Sequence, residues 1–303
     1  MMNSVTLKID DMTLSKMEQF YHESISYGGG DYILWKCRTI DDVNITIYSS
    51  KKGIKALFSG DKALEEAKIW DIDCSLNQKK EKKEYSWLYL KDQIGSDEVG
   101  TGDFFGPVIV VASFIKKEDI PTLISLKVND SKKLSDERII EIVPKLLELV
   151  TFSKLTLSNE KYNSLVKNGY SMNKIKAILH NHALLKVKEK INNEDIPCFV
   201  DQFCDVGLYY SYLQYEDKVI TKNITFKTKG ESQYPSVAVS SMIARYCFLK
   251  EIEILENKYQ VKIPKGAGLS VDNFAKEFIA KFGLDELNKI CKMNFKNYEK
   301  ING

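Results

Sequence analysis

The stretch Gly95-Ser96-Asp97-Glu98-Val99-Gly100-Thr101-Gly102-Asp103-Phe104-Phe105-Gly106-Pro107-Val108 decides how this chain is read. Residues 86–97 are apolar and β-prone, and residues 107–115 form a strongly apolar run. Glycines between two such runs predict a wide hairpin. Further along, residues 131–149 predict a helix with Pro144 as a kink or break, and residues 152–157 a third strand. Residues 159–167 and 171–191 predict two helices parted by Gly169; the second sets Ile175, Ile178, Leu179 and His182 on one broad face. Residues 197–200 and 223–226 supply a fourth and a fifth strand, residues 236–259 a long helix, and the chain is helical from residue 270. Three hairpin-linked strands followed by alternating helices and strands give an α/β layer with a mixed five-stranded sheet flanked by helices.

Before this region, residues 79–84 form a short charged run without apolar periodicity, which reads as a solvated linker. The expected division is residues 1–75, a linker over 76–86, and a larger domain over 87–303. The first part predicts a strand at 5–9, a helix at 13–24, a hairpin of 32–38 with 43–48, a short strand at 55–58 and a closing helix at 61–69. Period two puts Val5, Leu7, Ile9, Ile33, Trp35, Cys37, Val43, Ile45 and Ile47 on a core face. Thr6, Lys8, Lys36, Arg38, Asn44, Thr46 and Tyr48 fall on an open, polar face, as a solvated antiparallel sheet would have.

Composition narrows the function classes. The chain has 303 residues, 44% of them apolar and 28% charged, which excludes wholesale disorder. Its most apolar run falls far short of the ~18 residues of a membrane helix, and the start lacks a secretory pattern. A cytoplasmic location is expected. Six cysteines at 37, 74, 198, 204, 247 and 291 form no CxxC pair and read as reduced thiols. Three histidines argue against a mechanism built on several imidazoles. Net charge is +2, with −3 on residues 1–75 and +5 on the rest, so a nucleic-acid argument rests on placement rather than on total charge.

Four acidic residues stand out. Asp97 and Glu98 lie at the end of the first strand of the larger region, against a glycine-rich turn. Asp201 ends the fourth strand, and Glu231 follows Lys229-Gly230 ahead of the long helix. Taken singly, each reads as a surface acid among 42. Brought to one sheet edge, like charges raise one another's pKa, and hard divalent cations relieve them. Two such ions about 3.5–4 Å apart activate water and stabilise a leaving oxygen in phosphodiester cleavage. Adjacent strand residues point to opposite faces, so Asp97 and Glu98 share one site only where the strand ends or bulges.

The stretch from Gly95 to Val108 resembles the signature of type 2 ribonucleases H. The family's later blocks are matched by Asn129-Asp130-Ser131-Lys132-Lys133-Leu134, Val200-Asp201, Lys229-Gly230-Glu231, Tyr234-Pro235-Ser236-Val237-Ala238 and Ser241-Met242-Ile243-Ala244-Arg245. They follow in the family's order from Gly95 to Arg245. The resemblance is nearest to ribonuclease HIII. Thr101 stands where ribonuclease HII usually has arginine, and Glu231 where it has aspartate. The segment Pro264-Lys265-Gly266-Ala267-Gly268 resembles the ribonuclease HIII tail and lacks the junction-reading tyrosine of ribonuclease HII. Residues 1–75 fit the size and strand–helix order of an N-terminal α+β domain resembling half of the TATA-binding protein.

The resemblance implies a ribonuclease H-like fold. It also implies an endoribonuclease that cleaves the RNA strand of RNA–DNA hybrids, leaving 5′-phosphate and 3′-hydroxyl ends. Asp97, Glu98, Asp201 and Glu231 become the catalytic and metal-binding set, for Mg²⁺ or Mn²⁺, with two ions during catalysis. Backbone amides of Gly100, Thr101 and Gly102 are placed to touch the ribose 2′-OH, which distinguishes RNA from DNA. Lys132 and Lys133 bind phosphate, and His180 and Asn181 lie on a helix the family places beside substrate. His182 falls with the apolar face and is expected in the core. Lys8, Lys36 and Arg38 are expected to grip the hybrid backbone. A monomer without membrane or obligate protein partner is expected. The competing readings are ribonuclease HII-like cutting at single ribonucleotides and a non-catalytic nucleic-acid-binding protein.

Overall fold

The computed structural model describes residues 3–28, 32–50, 53–77, 87–128 and 134–302. The charged run at 79–84 and the block from Asn129 to Lys133, with Lys132, lie outside them. The chain divides into two units, Met1–Lys82 and Lys83–Gly303.

In the first unit, β1 (Ser4–Ile9), β2 (Ile33–Arg38), β3 (Asn44–Ser50) and β4 (Gly53–Ser59) form an antiparallel sheet in the order β1-β4-β3-β2. Helix α1 (Asp11–Phe20) starts where the Asp10 carboxylate accepts the Thr13 amide at 2.8 Å, and α2 (Ala63–Lys68) follows β4. Val5, Leu7, Trp35, Cys37, Ile45, Ile47, Ala56 and Phe58 bury one sheet face against Met17, Ala63 and Ala67. Ile33 departs from the alternation expected of it. The register shifts between Ile33 and Trp35, so Ile33 pairs with Tyr48 and faces outward with it. Lys8 pairs with Lys55 and Lys36 with Thr46, which adds Lys55 to the basic side chains of the open face.

The second unit is built on β5 (Gln93–Val99), β6 (Val108–Ile115), β7 (Thr151–Leu157), β8 (Cys198–Asp201) and β9 (Ile224–Lys227), in the order β7-β6-β5-β8-β9. β5, β6 and β7 pair antiparallel, while β5, β8 and β9 pair parallel, giving the mixed sheet the sequence predicts. Alternation sorts its two faces. Ile94, Val110 and Ala112 pack with Ala183, Leu184 and Val187 of α6 (Met172–Ile191). Ile109 and Val111 pack with Ala238, Val239 and Met242 of α8 (Pro235–Tyr259). Helix α4 (Asp136–Leu149) is capped by Ser135 and runs through Pro144 without ending there. Among the described residues, no helix is long and apolar enough to cross a membrane.

Helix α8 approaches β5 unusually closely. A Cβ on Gly95 would stand 2.3 Å from the Val237 amide nitrogen and 2.5 Å from Ser236 Oγ. The space is filled by polar contacts: Ser240 Oγ donates to the Gly95 carbonyl at 2.8 Å, and Ser236 Oγ to Gln93 Oε1 at 2.7 Å. We expect Gly95→Ala to force strand and helix apart and to cost about 2–3 kcal/mol, the upper part of the overpacking range. Urea unfolding measures this; a midpoint equal to wild type would show that the contact gives way.

Candidate active site

Asp97 sits on β5 two residues beyond Gly95, on the α8 face, and is 4% exposed. Its Oδ1 accepts the Glu98 amide at 2.8 Å, and the Ser241 hydroxyl of α8 bonds its carboxylate. Burial pushes its pKa well above the usual carboxylate range, and the charges of Glu98 and Asp201 push it further.

Strand β8 brings the next carboxylate. It runs parallel to β5 in a register that pairs Ser96 with Val200, so Asp97 and Asp201 take the next positions on adjacent strands. Asp201 Oδ1 accepts the Gly230 amide at 2.8 Å. A Cβ on Gly230 would meet Val237 at 3.3 Å and Asp201 Cα at 3.4 Å, so this position favours glycine. The 3₁₀ turn Gly230–Ser232 thereby packs on the end of β8, and it holds Glu231 buried just ahead of α8.

Glu98 is placed differently. β5 pairs regularly with β6 through Glu98–Val110 and Val99–Ile109, so the strand neither bulges nor ends at the doublet, and Glu98 faces α6. There Lys176 Nζ lies 2.5 Å from its Oε1, and His180 Nε2 lies 2.9 Å from its Oε2. His180 Nδ1 pairs with Ser96 Oγ at 2.8 Å, and the Phe203 ring packs against both His180 and Lys176. Burial alone would raise the Glu98 pKa, but His180 and Lys176 outweigh it and hold Glu98 at about 2. The Ser96–His180–Glu98 chain resembles a nucleophilic triad in outline only, because Ser96 and His180 have no exposure to a substrate. Two adjacent carboxylates thus have opposite proton affinities, a hallmark of acid–base and metal sites. Among the described residues, no three His, Cys, Asp or Glu side chains stand together at metal-ligand spacing.

The loop between β5 and β6 leaves this doublet directly. Gly100 has φ +83°, and a Cβ there would fall 2.1 Å from the Pro107 carbonyl oxygen, so only glycine fits. At Gly102 nothing stands within 4 Å, and its backbone is open to approach.

Comparison with known proteins follows the same blocks. The family profile described as Ribonuclease HII matches residues 94–298. A Ribonuclease HIII of Bacillus cereus (strain ATCC 10987 / NRS 248) is 38% identical, over 99% of this chain and 98% of its own. The chain belongs to the ribonuclease HIII family. Its enzyme class is accordingly ribonuclease H, a hydrolase. The crystal structure described as Bst-RNase HIII in complex with Mn²⁺ superposes with a TM-score of 0.70 at 34% identity, covering 99% of this chain and 98% of that one. The Aquifex aeolicus RNase H3 structure gives a TM-score of 0.56 at 25% identity, covering 95% and 99%.

Within this chain, the expectations for His180, Asn181 and His182 need correction. His180 and Asn181, expected beside substrate, are fully buried. His180 serves Glu98, while Asn181 donates to the Lys218 carbonyl at 2.7 Å and accepts the Ile220 amide at 3.1 Å. His182, expected in the core, is half-buried, with 45% of its side chain exposed, and pairs with Glu216 at 2.6 Å. The buried face of α6 is rotated from the apolar one because its polar members have partners elsewhere in the fold. Lys132 and Lys133 lie outside the described residues; the adjacent Leu134 carbonyl is held by Arg245 Nη1 at 3.0 Å. Arg38 lies on the open face of the first unit, ion-paired with Asp42 at 2.5 Å. Sequence reasoning missed Lys176, and it placed Ser241 in a family block without giving it a role. The only sequence signal for Lys176 is its place four residues before His180 on one helix face.

The raised Asp97 pKa sets a sign for stability. A carboxyl that binds its proton more tightly folded than unfolded loses stability as pH rises from its unfolded value, near 4, through its folded value. In EDTA at neutral pH, Asp97→Asn is therefore expected to melt above wild type, by about 2–4 °C per kcal/mol relieved. Differential scanning calorimetry checks this, and a lower melting temperature would contradict it.

Proposed function

We propose that this ribonuclease HIII family member hydrolyses the RNA strand of RNA–DNA hybrids with divalent cations, leaving 5′-phosphate and 3′-hydroxyl ends. The supporting observation is the buried Asp97, whose proton affinity is raised by negative neighbours at the shared end of β5 and β8. An all-oxygen set of carboxylates suits Mg²⁺ or Mn²⁺. A carboxyl kept from ionising by burial and like charge is one a cation would stabilise as the anion. Asp97, Asp201 and Glu231 would hold such ions, two of them during catalysis, while Glu98, expected in the same set, faces α6 and pairs with Lys176 and His180. When bound, a divalent ion polarises a phosphoryl oxygen and lowers the pKa of water.

The chain's own residues supply the rest. Gly230 fixes the Asp201 carboxylate through its amide, and Ser241 fixes that of Asp97. The backbone of the Gly100, Thr101 and Gly102 turn, open at Gly102, would read the ribose 2′-OH, and Lys132 and Lys133 would bind phosphate. Lys8, Lys36 and Arg38, with Lys55 beside them, would grip the hybrid backbone from the sheet of the first unit.

Cleavage of a labelled hybrid tests the reading. We expect cutting in Mn²⁺ or Mg²⁺, none in EDTA, and a loss of about 10²–10³-fold in Asp97→Asn, the scale of removing one preorganised electrostatic group. Binding without cutting in any metal would favour the non-catalytic reading. Preference for a single embedded ribonucleotide over a run of four would favour the ribonuclease HII-like one.

The first unit has a separate test. Replacing Lys8, Lys36 and Lys55 together by Ala should reduce the slope of log affinity against log salt by about 2–3, near one for each phosphate no longer neutralised. Fluorescence anisotropy over a salt series measures it, and an unchanged slope would remove this surface from the interface.

A further inference from the structure

Lys292 is a lysine with no exposure to water, in the segment between α10 (Leu284–Ile290) and α11 (Lys296–Asn302). No carboxylate pairs with it at salt-bridge distance among the described residues. Its Nζ donates instead to two main-chain carbonyls, Asp103 at 2.7 Å and Gly106 at 2.6 Å. Both belong to the loop that carries Gly100, Thr101 and Gly102. Burying an amine for two carbonyls is costly, and an apolar side chain of similar length would cost less. Burial holds the amine at about 7, and its neutral form still carries the two N–H donors that the carbonyls need. The clamp thus persists through the titration.

Other contacts converge on the same loop. Asn159, the first residue of α5 (Asn159–Lys167), donates to the Gly106 carbonyl at 2.9 Å. The Lys292 amide donates to the Phe104 carbonyl at 2.9 Å, and the Gly266 amide to Asp103 Oδ1 at 2.7 Å. Gly100 and Gly106 both take positive φ, and the Phe248 side chain of α8 lies close to both. Phe104 and Phe105 of the loop are buried in the core, and Lys292 and Asn159 hold its carbonyls from the far side.

We propose that Lys292 is a positioning residue for ribose recognition: it fixes the Asp103 and Gly106 carbonyls so that the Gly100–Gly102 amides stand where a 2′-OH can be read. This rests on the reading of that loop under the proposed function. The test uses the full chain and a hybrid whose RNA strand carries a single 2′-deoxynucleotide. The readout is the ratio of cutting at a ribose position to cutting at the deoxy position, which does not depend on how much protein is folded.

Lys292→Met keeps the length of the side chain and removes the donors. We expect the ratio to fall about tenfold or more, within the hundredfold that a 1 Å misplacement costs. Asn159→Ala removes only one donor to Gly106 and should lower the ratio about two- to threefold; it decides the matter if Lys292→Met does not fold. A wild-type protein that shows no ribose preference would overturn the reading of the loop. A wild-type preference kept in full by Lys292→Met, or by Asn159→Ala where that variant alone folds, would overturn the role of Lys292 and leave the loop reading standing.

Discussion

The contact on which the second unit depends is backbone against backbone, where α8 lies on β5 at Gly95. No side chain separates them, and the serines of α8 take up the polar groups that such closeness would otherwise strand. The approach sets how far Asp97 stands from Ser241. It also sets where the turn before α8 delivers Glu231, because the same helix start packs against Gly230. One missing Cβ thus governs the spacing of carboxylates more than 130 residues apart in sequence.

The second organising feature is the division of the acidic doublet between two faces. Asp97 is pressed toward its neutral form by burial and by negative neighbours, whereas Glu98 is kept ionised by a lysine and a histidine from α6. The sheet separates two electrostatic settings by the thickness of one strand. The cation-holding role proposed for the Asp97 side would be served by that arrangement.

Most of the architecture was legible in the sequence because its signals are local. Apolar alternation located the strands, and the glycine cluster located the hairpin from β5 to β6. The family blocks located the carboxylates. What was not legible depends on partners distant in the chain. Hydropathy could not say that Lys176, His180 and Asn181 point inward, since each is buried only because Glu98, Ser96 or the 218–220 backbone meets it there. The same limit hid His182, whose place on the apolar face gave way to Glu216. A one-residue register shift near Leu34 turned Ile33 outward, and period-two reading has no means to register an inserted residue.

The pairing of Glu98 with Lys176 also bears on the choice of an inactive protein for trapping bound nucleic acid. Both side chains are about nine-tenths shielded from water, so neutralising Glu98 would strand an ammonium inside the fold at a cost of about 3–5 kcal/mol. A variant made that way would confound any loss of chemistry with a loosened α6. Among the described residues no cation pairs with Asp97, so a substitution at this proposed catalytic position leaves the scaffold a fair stand-in for the native one.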